Sequence, residues 1–245
     1  MSLRRARGVG RGACVAVASA ALALLAGCVP AAATAEGRDI EALYRVFLGL
    51  GAVVAGIVYL IATFAVLRYR RRAGDDDGTL PKQVRGNTRL EAVWTALPLL
   101  TVGGLFVGTL LVLGRTEARA AAPAAEIRVE AFRWGWTFSY PAAGVEVAGV
   151  GTQGPEVVVP VGRPVRFVLT SPDVVHSFYV PRFLFKRDVI PGRENTFDIT
   201  VAEPGSYGGQ CAEYCGVGHA YMPFTVRAVP LAEYEAWLAQ QVAAP

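Results

Sequence analysis

The chain has 245 residues and a mass of 26.0 kDa, is 53% hydrophobic and 18% charged, and has a mean hydropathy of +0.37, which excludes a disordered chain and an ordinary soluble domain. Its net charge of +4 is unevenly placed: residues 1–114 carry 13 Lys/Arg against 7 Asp/Glu, whereas residues 115–245 carry 11 against 13. The basic excess therefore lies in the apolar half, where it orients membrane segments, and nucleic-acid binding is excluded.

Residues 1–27 read as an export signal: Arg4, Arg5, Arg7 and Arg11 precede an apolar run over 13–26. The run ends Leu25-Ala26-Gly27-Cys28, which resembles a bacterial lipoprotein cleavage site and makes Cys28 a candidate for lipidation, with an ordinary cleavage nearby as the alternative. Residues 28–42 are Ala-rich and linker-like. Residues 46–67 are then uncharged, about 33 Å as a helix, and residues 92–114 form a second uncharged run that Pro98 and a few glycines interrupt. Neighbouring helices satisfy the backbone at such breaks. Between the runs, residues 68–89 hold seven Lys/Arg, while Arg38 and Arg45 alone precede the first run after Cys28. The positive-inside rule puts the 68–89 loop in the cytoplasm and both mature termini outside. The expectation is a two-helix transmembrane hairpin over 43–114, embedded in lipid, with a linker over 115–125.

Beyond residue 126 the pattern changes to short alternating segments, such as 127–132, 165–169 and 196–201, bounded by Gly and Pro. Segments of this kind at this spacing predict an all-β sandwich or small barrel over 126–230. Leu231, Tyr234 and Leu238 have helical spacing and predict a terminal helix in the 231–245 tail.

Apart from Met1, Cys14 and Cys28, every His, Cys and Met lies between 176 and 222. Cys211, Cys215, His219 and Met222 follow Cys-x3-Cys-x3-His-x2-Met in one loop, with Gly216 and Gly218 to turn it, and His176 lies 35 residues upstream. Thiolate, imidazole and thioether together select copper or zinc over Mg or Ca. Two thiolates, two imidazoles and weak ligands from Met222 and a backbone carbonyl fit a dinuclear copper site. A Cys211–Cys215 disulfide and a Cys2His2 zinc site are the alternatives, and neither accounts for Met222.

Residues 175–227 carry His176-Ser177-Phe178, then Lys186-Arg187-Asp188-Val189-Ile190-Pro191-Gly192-Arg193, then the cysteine loop. Over roughly residues 40–230 the chain resembles subunit II of cytochrome c oxidase. The resemblance implies a cupredoxin-like domain on a two-helix anchor in a bacterial plasma membrane, with the copper domain on the extracytoplasmic side. It implies a dinuclear copper (Cu-A) centre held by His176, Cys211, Cys215, His219, Met222 and the Glu213 carbonyl. The Glu213 carboxylate matches the family's ligand to a Mg or Mn ion at the boundary with subunit I. Phe132-Arg133-Trp134-Gly135-Trp136 resembles the family's aromatic segment, which implies that Trp134 receives electrons from cytochrome c and that Trp136 is a core aromatic. Arg133 and Gly135 depart from that segment, which often has Gln and an aromatic there. Leu90-Glu91-Ala92-Val93-Trp94 resembles the start of the family's second span, where the carboxylate of Glu91 would stand at the mouth of a proton channel of subunit I; a solvated helix-start charge is the alternative. Asp173 and Asp188 match acidic positions that could steer a basic cytochrome c.

The implied function is electron transfer from cytochrome c through copper to heme in subunit I, where oxygen is reduced and protons are pumped, with subunit III as a further partner. The copper ligands argue against a quinol oxidase subunit, and the chain's length leaves no room for the catalytic domain of nitrous oxide reductase. A membrane-anchored copper chaperone is the runner-up; its thioredoxin-like fold would need helices between the strands.

Overall fold

The computed structural model describes residues 31–70 and 83–243. Residues 1–27, read above as an export signal, Cys28 and residues 71–82 of the connecting loop lie outside the described residues. The described residues divide into two compact units, one between Ala42 and Leu113 and the other combining the residues up to Glu41 with those from Gly114 onward.

Two helices, α1 (Ala35–Tyr69) and α2 (Thr88–Thr116), are each long and apolar enough to cross a bilayer. Within the apolar windows of both, no residue is buried inside the protein, so Ile57, Leu60, Phe64, Leu97 and Leu100 stand on the surface. A helix apolar on all sides belongs in lipid rather than water. α2 runs through Pro98. Its first turn is closed reciprocally: the Leu90 N–H donates to Asn87 Oδ1 (3.2 Å) and the Asn87 N–H donates to Glu91 Oε1 (3.2 Å).

Among the described residues, the second unit has ten strands in two five-stranded sheets. β1 (Ala125–Phe132), β2 (Gly135–Tyr140), β3 (Val145–Val150), β5 (Pro164–Thr170) and β8 (Asn195–Thr200) form one sheet, in the order β3-β2-β1-β5-β8. β4 (Glu156–Pro160), β6 (His176–Val180), β7 (Phe185–Val189), β9 (Gly205–Cys211) and β10 (Pro223–Val229) form the other, in the order β4-β10-β9-β6-β7. β1 pairs in parallel with β5, and β4 with β10; the other pairs are antiparallel. Alternation explains the core. Ile127, Val129 and Ala131 of β1 point inward while their neighbours face water. Phe178 meets Phe224 at 4.7 Å and Phe197 at 5.5 Å between ring centroids, so aromatics from both sheets fill the space between them. Tyr140 bridges β2 to β4, its hydroxyl accepting from the Val158 N–H (2.8 Å) and donating to the Val158 carbonyl (3.0 Å). The tail helix α3 (Leu231–Ala243) buries Tyr234 and lays Trp237 on Tyr140 at 5.2 Å.

Two segments that read as linkers are built into this unit. Ahead of α1, the Ala33 N–H donates to the Arg182 carbonyl (2.7 Å), the Ala202 N–H donates to the Ala33 carbonyl (2.9 Å), and Thr34 pairs with Val201. Thr34 also caps α1 through Gly37 (2.9 Å). A Cβ on Gly37 would sit 2.6 Å from the Phe183 carbonyl oxygen, so glycine lets the backbones meet. After α2, Asp198 accepts from the Ala120 N–H (2.7 Å), while Arg166 donates to Asp198 through Nε and Nη2 (both 2.9 Å) and to the Ala120 carbonyl (2.8 Å). Small side chains, which make a segment look unstructured, also permit this close backbone approach.

Burial alone would raise the Asp198 carboxyl, but Arg166 and the Ala120 N–H outweigh it and hold it below the usual carboxylate range. A folded-state value depressed below the unfolded one adds stability above the unfolded value of about 3.9, and that increment disappears as pH falls through the folded one. Asp198→Asn should therefore lower the thermal midpoint at neutral pH by more than at pH 3, measured by thermal melts of the full chain in detergent. Equal losses at both pH values would refute this assignment.

Candidate metal centre

The register of the second sheet assembles the site. β6 begins at His176 and pairs with β9 so that Phe178 faces Cys211, the last residue of β9. The chain then loops from Ala212 to Gly218, makes a 3-10 turn over His219–Tyr221 and enters β10 at Pro223. The donor atoms follow one another closely. His176 Nδ1 lies 3.9 Å from Cys211 Sγ, the two sulfurs are 3.9 Å apart, Cys215 Sγ lies 3.7 Å from His219 Nδ1 and 3.4 Å from Met222 Sδ, and the Glu213 carbonyl oxygen is 3.3 Å from Cys211 Sγ. His176, Cys211, Cys215 and Met222 are buried; His219 is half-buried. Sulfurs at this separation are free thiols, since a disulfide bond is about 2.05 Å long. That removes the disulfide alternative. Met222, which a zinc site leaves unused, stands against Cys215, and the His176, Cys211, Cys215, Met222 cluster fits a copper site.

The two thiols differ. Burial pushes Cys211 up, but the imidazole of His176 and backbone hydrogen bonds outweigh it and hold the thiol below its usual range. Cys215 is pushed above the usual thiol range by burial and by the charge on Cys211 beside it.

Around the donors, further groups fix their orientation. His176 Nε2 is 2.9 Å from Asp173 Oδ1, which turns the ring so that Nδ1 faces the Cys211 sulfur. Asp173 also accepts from the N–H groups of Val174 (2.6 Å) and Arg133 (2.8 Å). Burial would raise its carboxyl, but His176 and these two N–H groups hold it well below the usual carboxylate range. The sequence offered Asp173 as a steering charge; the structure turns it inward onto a donor. An acid three residues ahead of a candidate ligand is the signal that could have marked this role. Trp136, fully buried, donates from Nε1 to the Met222 carbonyl (3.0 Å) and so anchors the thioether residue. No sequence pattern announced that bond.

Trp134 is 36% exposed and donates from Nε1 to the Cys215 carbonyl (3.4 Å). Its indole lies on Gly216 and Gly218; a Cβ on Gly218 would come within 2.5 Å of the ring, and Gly216 holds a φ of +118°. The glycines thus seat the tryptophan as well as turn the loop. Glu213 points two ways, its carbonyl to Cys211 and its carboxylate to Lys186 Nζ (3.0 Å), which also reaches Asp188 Oδ1 (3.3 Å). Glu91 lies in the other unit, where it caps α2.

Residues 143–229 match the family model described as cytochrome C oxidase subunit II, periplasmic domain. The chain is 30% identical over 253 residues to cytochrome c oxidase subunit 2 of Mycobacterium tuberculosis (strain H37Rv), covering 80% of this chain and 68% of that protein. The chain belongs to the cytochrome c oxidase subunit II family. It is also 37% identical over 192 residues to cytochrome c oxidase subunit 2 of Alkalihalophilus pseudofirmus, a match that takes in 76% of this chain and about half, 54%, of that protein. Among solved structures, the periplasmic domain of subunit II (CoxB) of Bradyrhizobium japonicum is 33% identical, with a TM-score of 0.47, over 50% of this chain and 96% of that one. Family membership sets aside the chaperone reading, and the strands indeed run without the intervening helices a thioredoxin-like fold requires.

Proposed function

We propose that this subunit receives electrons from a cytochrome c at a dinuclear copper centre and delivers them to heme in subunit I, where oxygen is reduced and protons are pumped. The observation that carries the reading is the buried succession of His176, Cys211, Cys215 and Met222 with donor atoms 3.4–3.9 Å apart. His176, Cys211, the Glu213 carbonyl, Cys215, His219 and Met222 would hold the two ions. Bound copper supplies one-electron exchange with little rearrangement of its ligands. The chain's own residues do the rest. Asp173 sets the ring of His176, Trp136 holds the backbone of Met222, and the strand ends of β6, β9 and β10 keep the donors in place before metal arrives. Trp134, hydrogen-bonded to a ligand residue and reaching the surface, is where electrons come in.

The remaining assignments belong to the same reading. The β unit lies on the extracytoplasmic side of a bacterial plasma membrane, with Cys28 lipidated. The Glu213 carboxylate contributes to a Mg or Mn site with subunit I, which requires the Lys186 ammonium to give way. Glu91 serves the mouth of a proton channel of subunit I, and subunit III completes the assembly.

Electron paramagnetic resonance of the full chain, purified in detergent and loaded with copper, tests the proposal. A hyperfine pattern with more lines than one copper nucleus can produce is expected. A single-copper spectrum at saturating metal would overturn the dinuclear assignment.

A further inference from the structure

The donors of the metal centre are walled off on most sides. His176 is fully buried, its Nε2 on Asp173 Oδ1 (2.9 Å) and its ring tilted against the equally buried Trp136 at 6.5 Å. Beside Cys215, the indole of Trp134 lies on Gly216 and Gly218 and donates from Nε1 to the Cys215 carbonyl (3.4 Å). The Ala212 N–H donates to the carbonyl of the fully buried Ser177 (3.1 Å), which holds the segment leading to Glu213 on β6. Beneath them the packed rings of Phe178 and Phe224 close the core.

One side is open. Between the end of β9 and the 3-10 turn over His219–Tyr221 lies a cavity of about 360 Å³. Cys211, His219 and Met222 stand on its wall together with Gln210, Ala220 and Pro223, whereas His176, Glu213 and Cys215 do not line it. Gln210 and Ala220 are exposed, so the cavity meets solvent between them. Its volume admits an ion with several waters, at about 30 Å³ for each water. Cys211 Sγ is 3.9 Å from Cys215 Sγ and 3.9 Å from His176 Nδ1, and so joins the cavity to the donors behind it.

We propose that this cavity is the passage by which copper enters and leaves the chain, with Gln210 and Ala220 as its gate. The proposal rests on the copper-binding function given above and adds the route by which the site is filled. An ion in the cavity exchanges water for soft donors one at a time: Cys211, His219 and Met222 first, then, across the Cys211 sulfur, Cys215 and His176. It is therefore never stripped of water without a ligand to replace it, which would be costly. Entry beside His176 would have to part the imidazole from Asp173. Entry beside Cys215 would have to lift the Trp134 indole from its two glycines and its carbonyl. Passage through the cavity asks neither. A gate on the route changes the rates of entry and exit alike and leaves affinity untouched, because affinity compares only the free and bound states.

The test uses the full chain in detergent, without oxygen, and Cu(I) supplied as its coloured complex with a weak chelator, so that no electron changes hands. Loss of colour gives the uptake rate, and its return in excess chelator gives the release rate. Gln210→Trp and Ala220→Phe narrow the gate from opposite walls; each is expected to slow uptake and release about tenfold, with affinity within about twofold of the parent. Gln210→Ala, which widens the gate, is expected to quicken both about threefold. Val217→Trp adds bulk on the Trp134 side, at a residue 89% exposed, and is expected to keep both rates of the parent. Unchanged rates in the Gln210 and Ala220 variants would overturn the proposal, as would equal slowing by Val217→Trp. Slower uptake with unaltered release would also overturn it, since the donors and not the route would then have changed. If a narrowing variant fails to fold, Gln210→Ala decides, and parental rates in it overturn the proposal. Absence of Cu(I) uptake by the parent would overturn the underlying function and the route together, and is read before any variant is compared.

Discussion

Asp173→Asn is expected to lower the affinity of the site for copper roughly ten- to a hundredfold. The carboxylate serves two sets of donors at once. Oδ1 takes His176 Nε2 (2.9 Å) and the Val174 N–H (2.6 Å), while Oδ2 takes the Arg133 N–H (2.8 Å) and the Arg133 Nε (3.3 Å). An amide has one oxygen, so its NH2 must face one of these sets and leave donors opposed. If the amide oxygen turns to Arg133, the imidazole loses its partner, and nothing else fixes which ring nitrogen carries the hydrogen. If it turns to His176, the loop over 133–134 is pushed away, and Trp134 with it. The neutral amide also withdraws the negative charge that makes the imidazole a better donor. Competition against a copper chelator, using the full chain in detergent, gives the affinity. A change of less than about twofold would show that the ring of His176 is positioned by packing alone, its tilted contact with Trp136 at 6.5 Å being the obvious source.

Gly209→Ala should destabilise the β unit by about 2–3 kcal/mol and lower its thermal midpoint by roughly 10 °C, whereas Gly208→Ala should change little. The two glycines are neighbours in β9 with opposite surroundings. A Cβ on Gly209 would lie 2.2 Å from Cε2 of Phe224, its partner across the β9–β10 pair; a Cβ on Gly208 would meet nothing within 4 Å. Phe224 cannot swing aside, because Phe178 (4.7 Å), Trp136 (5.0 Å) and Phe138 (5.6 Å) enclose its ring. Relief must come from the backbone of β9 or β10, and these strands end at Cys211 and begin after Met222, so copper loading should fall as well. Equal midpoints for the two variants would mean that the aromatic core yields more readily than close packing allows.

Much of the fold was legible along the chain because its signals are local. Residues 46–67 and 92–114 announce lipid-facing helices by length and lack of charge. Alternation over 127–132, 165–169 and 196–201 reappears in β1, β5 and β8, and the spacing of Leu231, Tyr234 and Leu238 in α3. The donors are legible for the same reason: Cys211, Cys215, His219 and Met222 share one loop and have few alternative uses as a set, and their chemistry also brought in His176 from farther off. Three features were not legible. Asp173 stands only three residues ahead of His176, yet it looks like a surface charge until the fold brings Arg133, which follows β1, onto the same carboxylate. Lys186, Asp188 and Glu213 look like separate charges until β7 and the metal loop place one ammonium between two carboxylates. The segments around Ala33 and Ala120 look like tethers because composition reports only that their side chains are small, not that the backbone has partners. Sequence determined which residues have the chemistry to bind metal and which segments prefer lipid, since both are properties of side chains and their spacing. Tertiary structure decided which charges are spent internally and which backbone is held, because those depend on groups far apart in the chain meeting within 3 to 4 Å.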